Sequence, residues 1–231
     1  MEIRIVLVEP EKAGNVGAVA RSMKNFDLSN LWIVNPKEPI GIEARAFAMH
    51  GYDVLSKARS VGTLKQALKG LDLVVGTSAI TATSRSNLAR VPITPEQLAS
   101  RIRDHQRNVG ILFGRESSGL SNDELEACDL LVTIPASRAY NVLNLASAAT
   151  IIFYELHRYR STRSGPPFAS KLVKDRMQSQ FIQLLKCSGV QEHKRRLAQR
   201  AFRNVISRSF ISSREASLLL GVLRRATGKL M

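Results

Sequence analysis

Cysteine is scarce: the 231 residues hold two, Cys128 and Cys187, far apart and without metal-ligand spacing. That excludes a disulfide framework and a cysteine-based zinc site, leaving two idle thiols. Tryptophan occurs once, as Trp32, and aromatic residues make up 6% of the chain. A basic amphipathic helix anchored in a membrane surface by exposed aromatics therefore has little to draw on. Long apolar runs are also missing. The longest, Leu143 to Phe153, is interrupted by Asn144, Ser147 and Thr150, whereas a spanning helix needs roughly 18 consecutive apolar residues. Glu2 and Arg4 fall inside an expected strand rather than ahead of an apolar secretory segment, so a cytoplasmic protein with no membrane partner is expected. The four histidines, His50, His105, His157 and His193, show no ligand spacing, and no metal is expected. Acidic residues are few as well: 19 Asp and Glu face 34 Lys and Arg, a net charge of +15.

What is present is an ordinary globular composition, 44% apolar and 23% charged, with enough apolar residues for a sizeable core. The positive charge is not spread evenly. Residues 161–231 carry 15 Lys plus Arg against Asp175, Glu192 and Glu215, a net of 15 − 3 = +12, and the first 160 residues keep the remaining +3. Such segregation points to a nucleic-acid partner for the basic part; a merely solvated face is the plainer alternative.

The first part alternates apolar β-branched runs with helical patterns. Ile3 to Val8, Leu31 to Val34, Asp72 to Gly76, Val109 to Phe113 and Leu130 to Ile134 read as strands, largely apolar throughout, as expected for a parallel sheet covered by helices on both faces. Helical spacing recurs over 15–26, 63–69, 94–107, 121–127 and 143–160, with Thr94-Pro95 marking one helix start. The fold class is α/β. A run of small polar residues and a proline pair, 161–167, suits a linker, placed at 161–170 between a domain 1–160 and a basic helical domain 171–231. The second domain shows helical patterns near 170–187, 191–208 and 213–227, the last opened by Ser212 and Glu215 in capping-box spacing. In the middle one, Arg196, Arg200 and Arg203 follow one face, and Leu197, Ala201, Val205 and Ile206 are expected to pack on the other.

Three stretches sit at strand exits, where open α/β sheets bind ligands. The first, Glu9 to Arg21, contains Gly14 and Gly17, with Asn15 at an expected helix start and Arg21 two turns on. A helix cap is the plainer role for Asn15. The second, Leu112 to Leu120, holds Gly114, Arg115, Glu116 and Gly119, and reads either as a ligand loop or as a turn with an exposed ion pair. The third, Ile134-Pro135 followed by Ala139 to Ala148, leads into a helix rich in small residues, which by itself can be simple helix packing.

Together and in this order, the three stretches resemble the signature motifs of the SPOUT superfamily of RNA methyltransferases, in the branch that methylates ribose 2′-hydroxyls, most closely the TrmJ-type tRNA enzymes. The resemblance covers about residues 2–160. It is carried by Asn15, Gly17, Ala20-Arg21, Leu31-Trp32-Ile33-Val34-Asn35-Pro36 and Val75-Gly76-Thr77-Ser78.

The resemblance implies S-adenosyl-L-methionine as cofactor, held in a deep trefoil knot, a rare exception to unknotted connectivity. The implied pocket residues are Thr77, Ser78, Ala79, Leu112, Gly114, Ile134, Asn141, Val142 and Leu143. Arg21 is the implied catalytic residue, in a site completed by the partner subunit of a homodimer, with helix 143–160 near the interface. A guanidinium cannot accept a proton at ordinary pH, so orientation of phosphate and stabilisation of developing oxygen charge are its physically accessible roles. Asn15, Glu116 and Asn144 are implied to hold the loops in register. Asn141-Val142 stand where relatives commonly carry a serine before the Leu-Asn pair, so a serine hydroxyl has no part here. For RNA, the candidate contacts are Arg115, Lys194, Arg195, Arg196, Arg200 and Arg203, and tRNA position 32 in the anticodon loop is the implied target. A ribosomal RNA methyltransferase and a non-catalytic RNA-binding protein on the same fold are the alternatives.

Overall fold

Ile5, Val6, Leu7 and Val8 are buried in succession, so both faces of this strand are covered, as the unbroken apolar run requires. The strand is β1 (Glu2–Val8), near the centre of a six-stranded sheet in the computed structural model, which describes residues 2–79, 92–102, 108–137, 139–159 and 168–230. The other strands are β2 (Asn30–Val34), β3 (Arg59–Val61), β4 (Leu73–Thr77), β5 (Asn108–Phe113) and β6 (Leu130–Val132), in the order β3-β2-β1-β5-β4-β6. Every pairing is parallel. β1 and β5 are spatial neighbours far apart in the chain, pairing from Glu2 with Asn108 to Leu7 with Phe113. This is where the winding direction reverses and a crevice opens beyond the strand ends.

The helices of this part are α1 (Ala13–Asn25), α2 (Ile42–Ala48), α3 (Tyr52–Ser56), α4 (Leu64–Leu68), α5 (Pro95–Ile102), α6 (Asn122–Glu126) and α7 (Leu145–Arg158). One apolar layer joins Val6, Val8, Val34, Ala67, Leu71, Val74 and Leu112. Thr63 with Gln66 and Ser121 with Glu124 form reciprocal capping boxes at α4 and α6.

Several boundaries differ from the sequence-based expectation. α1 starts at Ala13 with Lys12 as N-cap, so Asn15 lies in its first turn and is not the cap. α7 starts at Leu145 because Asn144 stops it, its side chain accepting from Ala146 N–H at 2.9 Å. The segment α2, a 3-10 turn at Met49–Gly51, α3 and β3 was not anticipated. Each piece is short, below the length at which apolar periodicity becomes readable. The tail of the expected helix 94–107, with His105, and the core of the expected linker, 161–167, lie outside the described residues.

The chain divides into two compact units; the second, described over residues 168–230, consists of three helices. They are α8 (Lys171–Cys187), α9 (Glu192–Arg208) and α10 (Ser213–Leu230), around Ala169, Met177, Ile206, Ile211 and Ala216. The Ser212–Glu215 capping box forms as expected, with Ser212 N–H donating to the Glu215 carboxylate at 2.7 Å and Glu215 N–H to Ser212 Oγ at 3.2 Å. The packing face of α9 is not the expected one. Leu197 and Val205 are exposed, and contact with α8 runs through Phe202, stacked on Phe181 at 4.0 Å, and Ile206. A flat aromatic pair fixes the rotation of the helix more firmly than two aliphatic side chains.

Among the described residues no helix is long and apolar enough to cross a membrane, and no group of three or more His, Cys, Asp or Glu is arranged to hold a metal ion.

Candidate active site

At the carboxyl ends of β4, β5 and β6 lies a cavity of about 620 Å³, within the range of small-molecule and cofactor sites. Its walls come from three strand ends and the segment before α7. Thr77 ends β4 and Ser78 and Ala79 follow it; Phe113 ends β5, with Gly114 and the loop to Leu120 after it; Val132 and Ile134 lie at and beyond β6; Asn141, Val142 and Leu143 precede α7. Of the expected cofactor residues, Leu112 alone does not line it. Leu112 is wholly buried in the layer with Val6 and Val8, because alternate residues of a strand face opposite sides. Phe113 faces the cavity side instead, edge-on to Phe153 of α7 at 6.0 Å. Leu112 contributes through its carbonyl, which accepts from Thr77 Oγ1 at 2.9 Å. Asn141 Nδ2 donates to Ala79 O at 2.9 Å, tying two walls together.

The loop after β5 is folded on itself. Arg115 N–H donates to Gly119 O at 3.1 Å and Gly119 N–H to Arg115 O at 2.9 Å, with Gly119 at φ 69°. Arg115 was expected to contact RNA; the structure commits it elsewhere. Its two terminal nitrogens meet the Glu124 carboxylate at 3.0 Å each, and Nε meets Glu9 Oε2 at 3.2 Å. A forked, two-sided ion pair of a side chain 18% exposed leaves no free edge for a phosphate. Carboxylates around it raise its pKa, Glu124 foremost.

Glu9 also pairs with Lys37 at 2.7 Å, and donation from Lys37 and then Arg115 lowers its pKa from 4.5 to about 2. A depressed carboxylate pKa stabilises the fold above the unfolded-state value and ceases to do so as pH falls through the folded value. Glu9→Gln should therefore flatten the pH dependence of unfolding free energy between about pH 4.5 and 2, measured by urea titration, while leaving its shape above pH 6 unchanged.

Asn15, Glu116 and Asn144, from three separate motifs, form one chain of hydrogen bonds. Asn15 Nδ2 donates to Glu116 Oε1 at 2.8 Å, and Asn144 Nδ2 donates to Asn15 Oδ1 at 3.1 Å. Glu116 Oε2 accepts from Glu11 N–H at 2.7 Å. α1 has no acidic residue in its first turn and no side-chain cap of its own. Glu116, with Glu38 accepting from Ala13 N–H at 2.8 Å, therefore satisfies and charge-complements its start from outside. Arg21 lies further along the same helix, exposed, and among the described residues makes no hydrogen bond or ion pair. Its neighbour Ser22 is pinned to Thr150 of α7 at 2.6 Å.

On α9, Lys194, Arg196, Arg200 and Arg203 are exposed. Arg195 is half-buried, with its Nε shielded from solvent.

Glu9, Glu11, Ser117 and Glu124 were not anticipated. Their only sequence signal is carboxylates flanking glycine turns, and in Glu124 the capping-box spacing from Ser121 explains the residue equally well.

Walls of strand-end backbone and aliphatic side chains suit a planar ring read by backbone groups, and the hydroxyls of Ser78, Ser117 and Ser118 with the Glu116 carboxylate in the same lining offer polar partners to a charged sulfonium and amino-acid chain, so the residues present fit S-adenosyl-L-methionine. A family model described as SpoU rRNA Methylase matches residues 2–154. The chain is 39% identical over 227 residues to a tRNA (cytidine-2′-O-)-methyltransferase TrmJ of Methanocaldococcus jannaschii, covering 96% of this chain and 98% of that one. Similarity to the tRNA (cytidine/uridine-2′-O-)-methyltransferase TrmJ of Salmonella typhimurium is 37% over 234 residues, covering 96% and 94%. The crystal structure of TrmJ from Z. mobilis superposes with a TM-score of 0.69 at 28% identity, covering 97% of this chain and 99% of that one. With the family model matching residues 2–154 and likeness to relatives running the length of both chains, this protein belongs to the SpoU methylase family.

Proposed function

We propose that the protein is an S-adenosyl-L-methionine-dependent tRNA 2′-O-ribose methyltransferase acting on the pyrimidine at position 32 of the anticodon loop. The observation that carries this reading is the Asn15–Glu116–Asn144 chain, which joins three motifs through Glu116 in the cavity wall, while the Arg21 guanidinium on the same helix as Asn15 has no partner among the described residues. The names of the relatives similar along their whole length favour tRNA.

The bound cofactor supplies an electrophilic methyl group; the chain's part is alignment and electrostatics. Thr77, Ser78, Ala79, Gly114, Ile134 and Asn141 to Leu143 hold the cofactor. Arg21 grips the phosphate beside the target ribose and offsets charge developing on its 2′-oxygen. Lys194, Arg196, Arg200 and Arg203 supply phosphate contacts, so the catalytic work belongs to residues 1–160 and RNA capture to residues 171–231. The reading carries with it the family's trefoil knot in the last third of the first domain, a cytoplasmic site of action without a metal, and a homodimer. Exposed Ile151 and Tyr154 on α7 support an interface there.

Incubation of labelled S-adenosyl-L-methionine with unmodified tRNA transcripts, followed by nucleoside mass spectrometry, should yield a 2′-O-methylated pyrimidine nucleoside mapping to position 32. Product on ribosomal RNA alone would move the reading to that substrate. Cofactor binding without product on either would leave an RNA binder. Transfer at subsaturating tRNA should fall steeply with salt, as each phosphate contact contributes about 0.7 to 0.9 to the logarithmic slope.

A further inference from the structure

Glu11 and the adjacent pair Glu116 and Ser117 hold one another reciprocally. Glu11, in the turn that leads into α1, sends its N–H to the Glu116 carboxylate at 2.7 Å. In return its own carboxylate accepts from Ser117 N–H at 3.1 Å and from Ser117 Oγ at 2.5 Å. Ser117 and Glu116 both line the cavity. Glu11 sits on the chain that continues, without a break, into the helix carrying Arg21. The loop is also tethered by the ion pairs of Arg115 with Glu9 and Glu124, side chains 15% to 24% exposed, and by Glu116, which accepts from Glu11 N–H and Asn15 Nδ2. The Glu11–Ser117 clasp differs from these, because Ser117 is exposed and its loop stays anchored whether or not the clasp is closed. Beside the Glu116 bonds, it is a contact that carries a small displacement of the cavity rim to the start of α1 and can open without unfolding either.

We propose that Glu11 is a positioning residue for the transfer reaction: by clasping Ser117 it couples occupancy of the cofactor cavity to the placement of α1 and Arg21, so cofactor and tRNA strengthen each other's binding. The inference rests on the methyltransferase reading and adds to it a thermodynamic link between two sites. Such a link is reciprocal, and coupling of this kind typically spans about 5- to 150-fold in affinity.

The test is isothermal titration of S-adenosylhomocysteine into the full-length protein alone and into its complex with tRNA transcript. The wild type should bind the nucleoside at least about fivefold tighter in the complex. Glu11→Ala should bring that ratio to within about twofold of unity while the two separate affinities stay near wild type, and Glu11→Gln, which keeps one acceptor, should recover part of it. A wild-type ratio of one overturns the proposal, as does an unchanged ratio in Glu11→Ala. A variant that weakens nucleoside binding equally in both states makes Glu11 a brace for the loop and overturns it too. Failure of the wild type to bind either partner alone would instead remove the methyltransferase reading, and the coupling with it.

Discussion

Arg21→Ala is expected to lower kcat for methyl transfer by about 10² to 10³-fold, the scale of losing a preorganised electrostatic contact to a transition state, with the affinity for S-adenosylhomocysteine held within about twofold. The expectation follows from where the residue stands. α1 is anchored by Val16, Val19, Ala20 and Met23, all fully buried, and Arg21 projects from the opposite face with no partner among the described residues. Truncation therefore removes a functional group and no packing, and melting temperature should not move appreciably. Arg21→Lys keeps the charge but loses the planar fork suited to phosphate, so it should recover only a minor part of the rate. Parallel loss of transfer and of nucleoside binding would take Arg21 out of the catalytic role.

Gly114→Ala should abolish productive cofactor binding by a different route. A Cβ at this position would lie 2.1 Å from the carbonyl carbon of Gly119 and 2.3 Å from Leu120 N. Both are backbone atoms, which cannot swing aside as a flexible side chain would. Accommodating the methyl means opening the Arg115–Gly119 pairing, which shapes one wall of the cavity and feeds the Gly119 carbonyl to Arg115 Nη1 at 3.2 Å. The expected result is a fall of more than about tenfold in S-adenosylhomocysteine affinity by titration, together with about 1 to 3 kcal/mol of destabilisation from overpacking. In a unit of about 150 residues that corresponds to a drop of roughly 2 to 12 °C in melting temperature. Undiminished affinity in a folded variant would mean that the loop does not form the cofactor wall.

The strands Ile3–Val8, Leu31–Val34 and Val109–Phe113 were legible because burial on both faces leaves a largely apolar run, broken in the first by Arg4 alone. The start of α10 was legible because Ser212 and Glu215 stand in capping-box spacing. The order of the strands was not legible, since pairing of Glu2 with Asn108 leaves no local trace. At the site, resemblance brought out Asn15, Arg21, Glu116 and Asn144 as residue types, but the direction of each side chain is set by tertiary contact. Arg115 illustrates the difference. An arginine between a glycine and a glutamate in a strand-exit loop reads as an available cation, and only the arrival of Glu9 and Glu124 from two other elements turns it into a strut. Likewise Leu197 and Val205 made a plausible stripe on α9 until the Phe181–Phe202 stack rotated the helix away from it.

The insertion of β5 between β1 and β4 sets a delay during synthesis. β1 emerges first and can pair with β2 soon afterwards, yet its other edge must wait for the roughly 100 residues that separate it from β5, about 5 to 20 s at ordinary elongation rates. For that interval the apolar ribbon Ile3 to Val8 presents an unpaired edge, the kind of surface that recruits other chains. Retarded production of the segment from Asn108 to Phe113 would accordingly be paid in aggregated nascent chains, well before the enzyme's chemistry is affected.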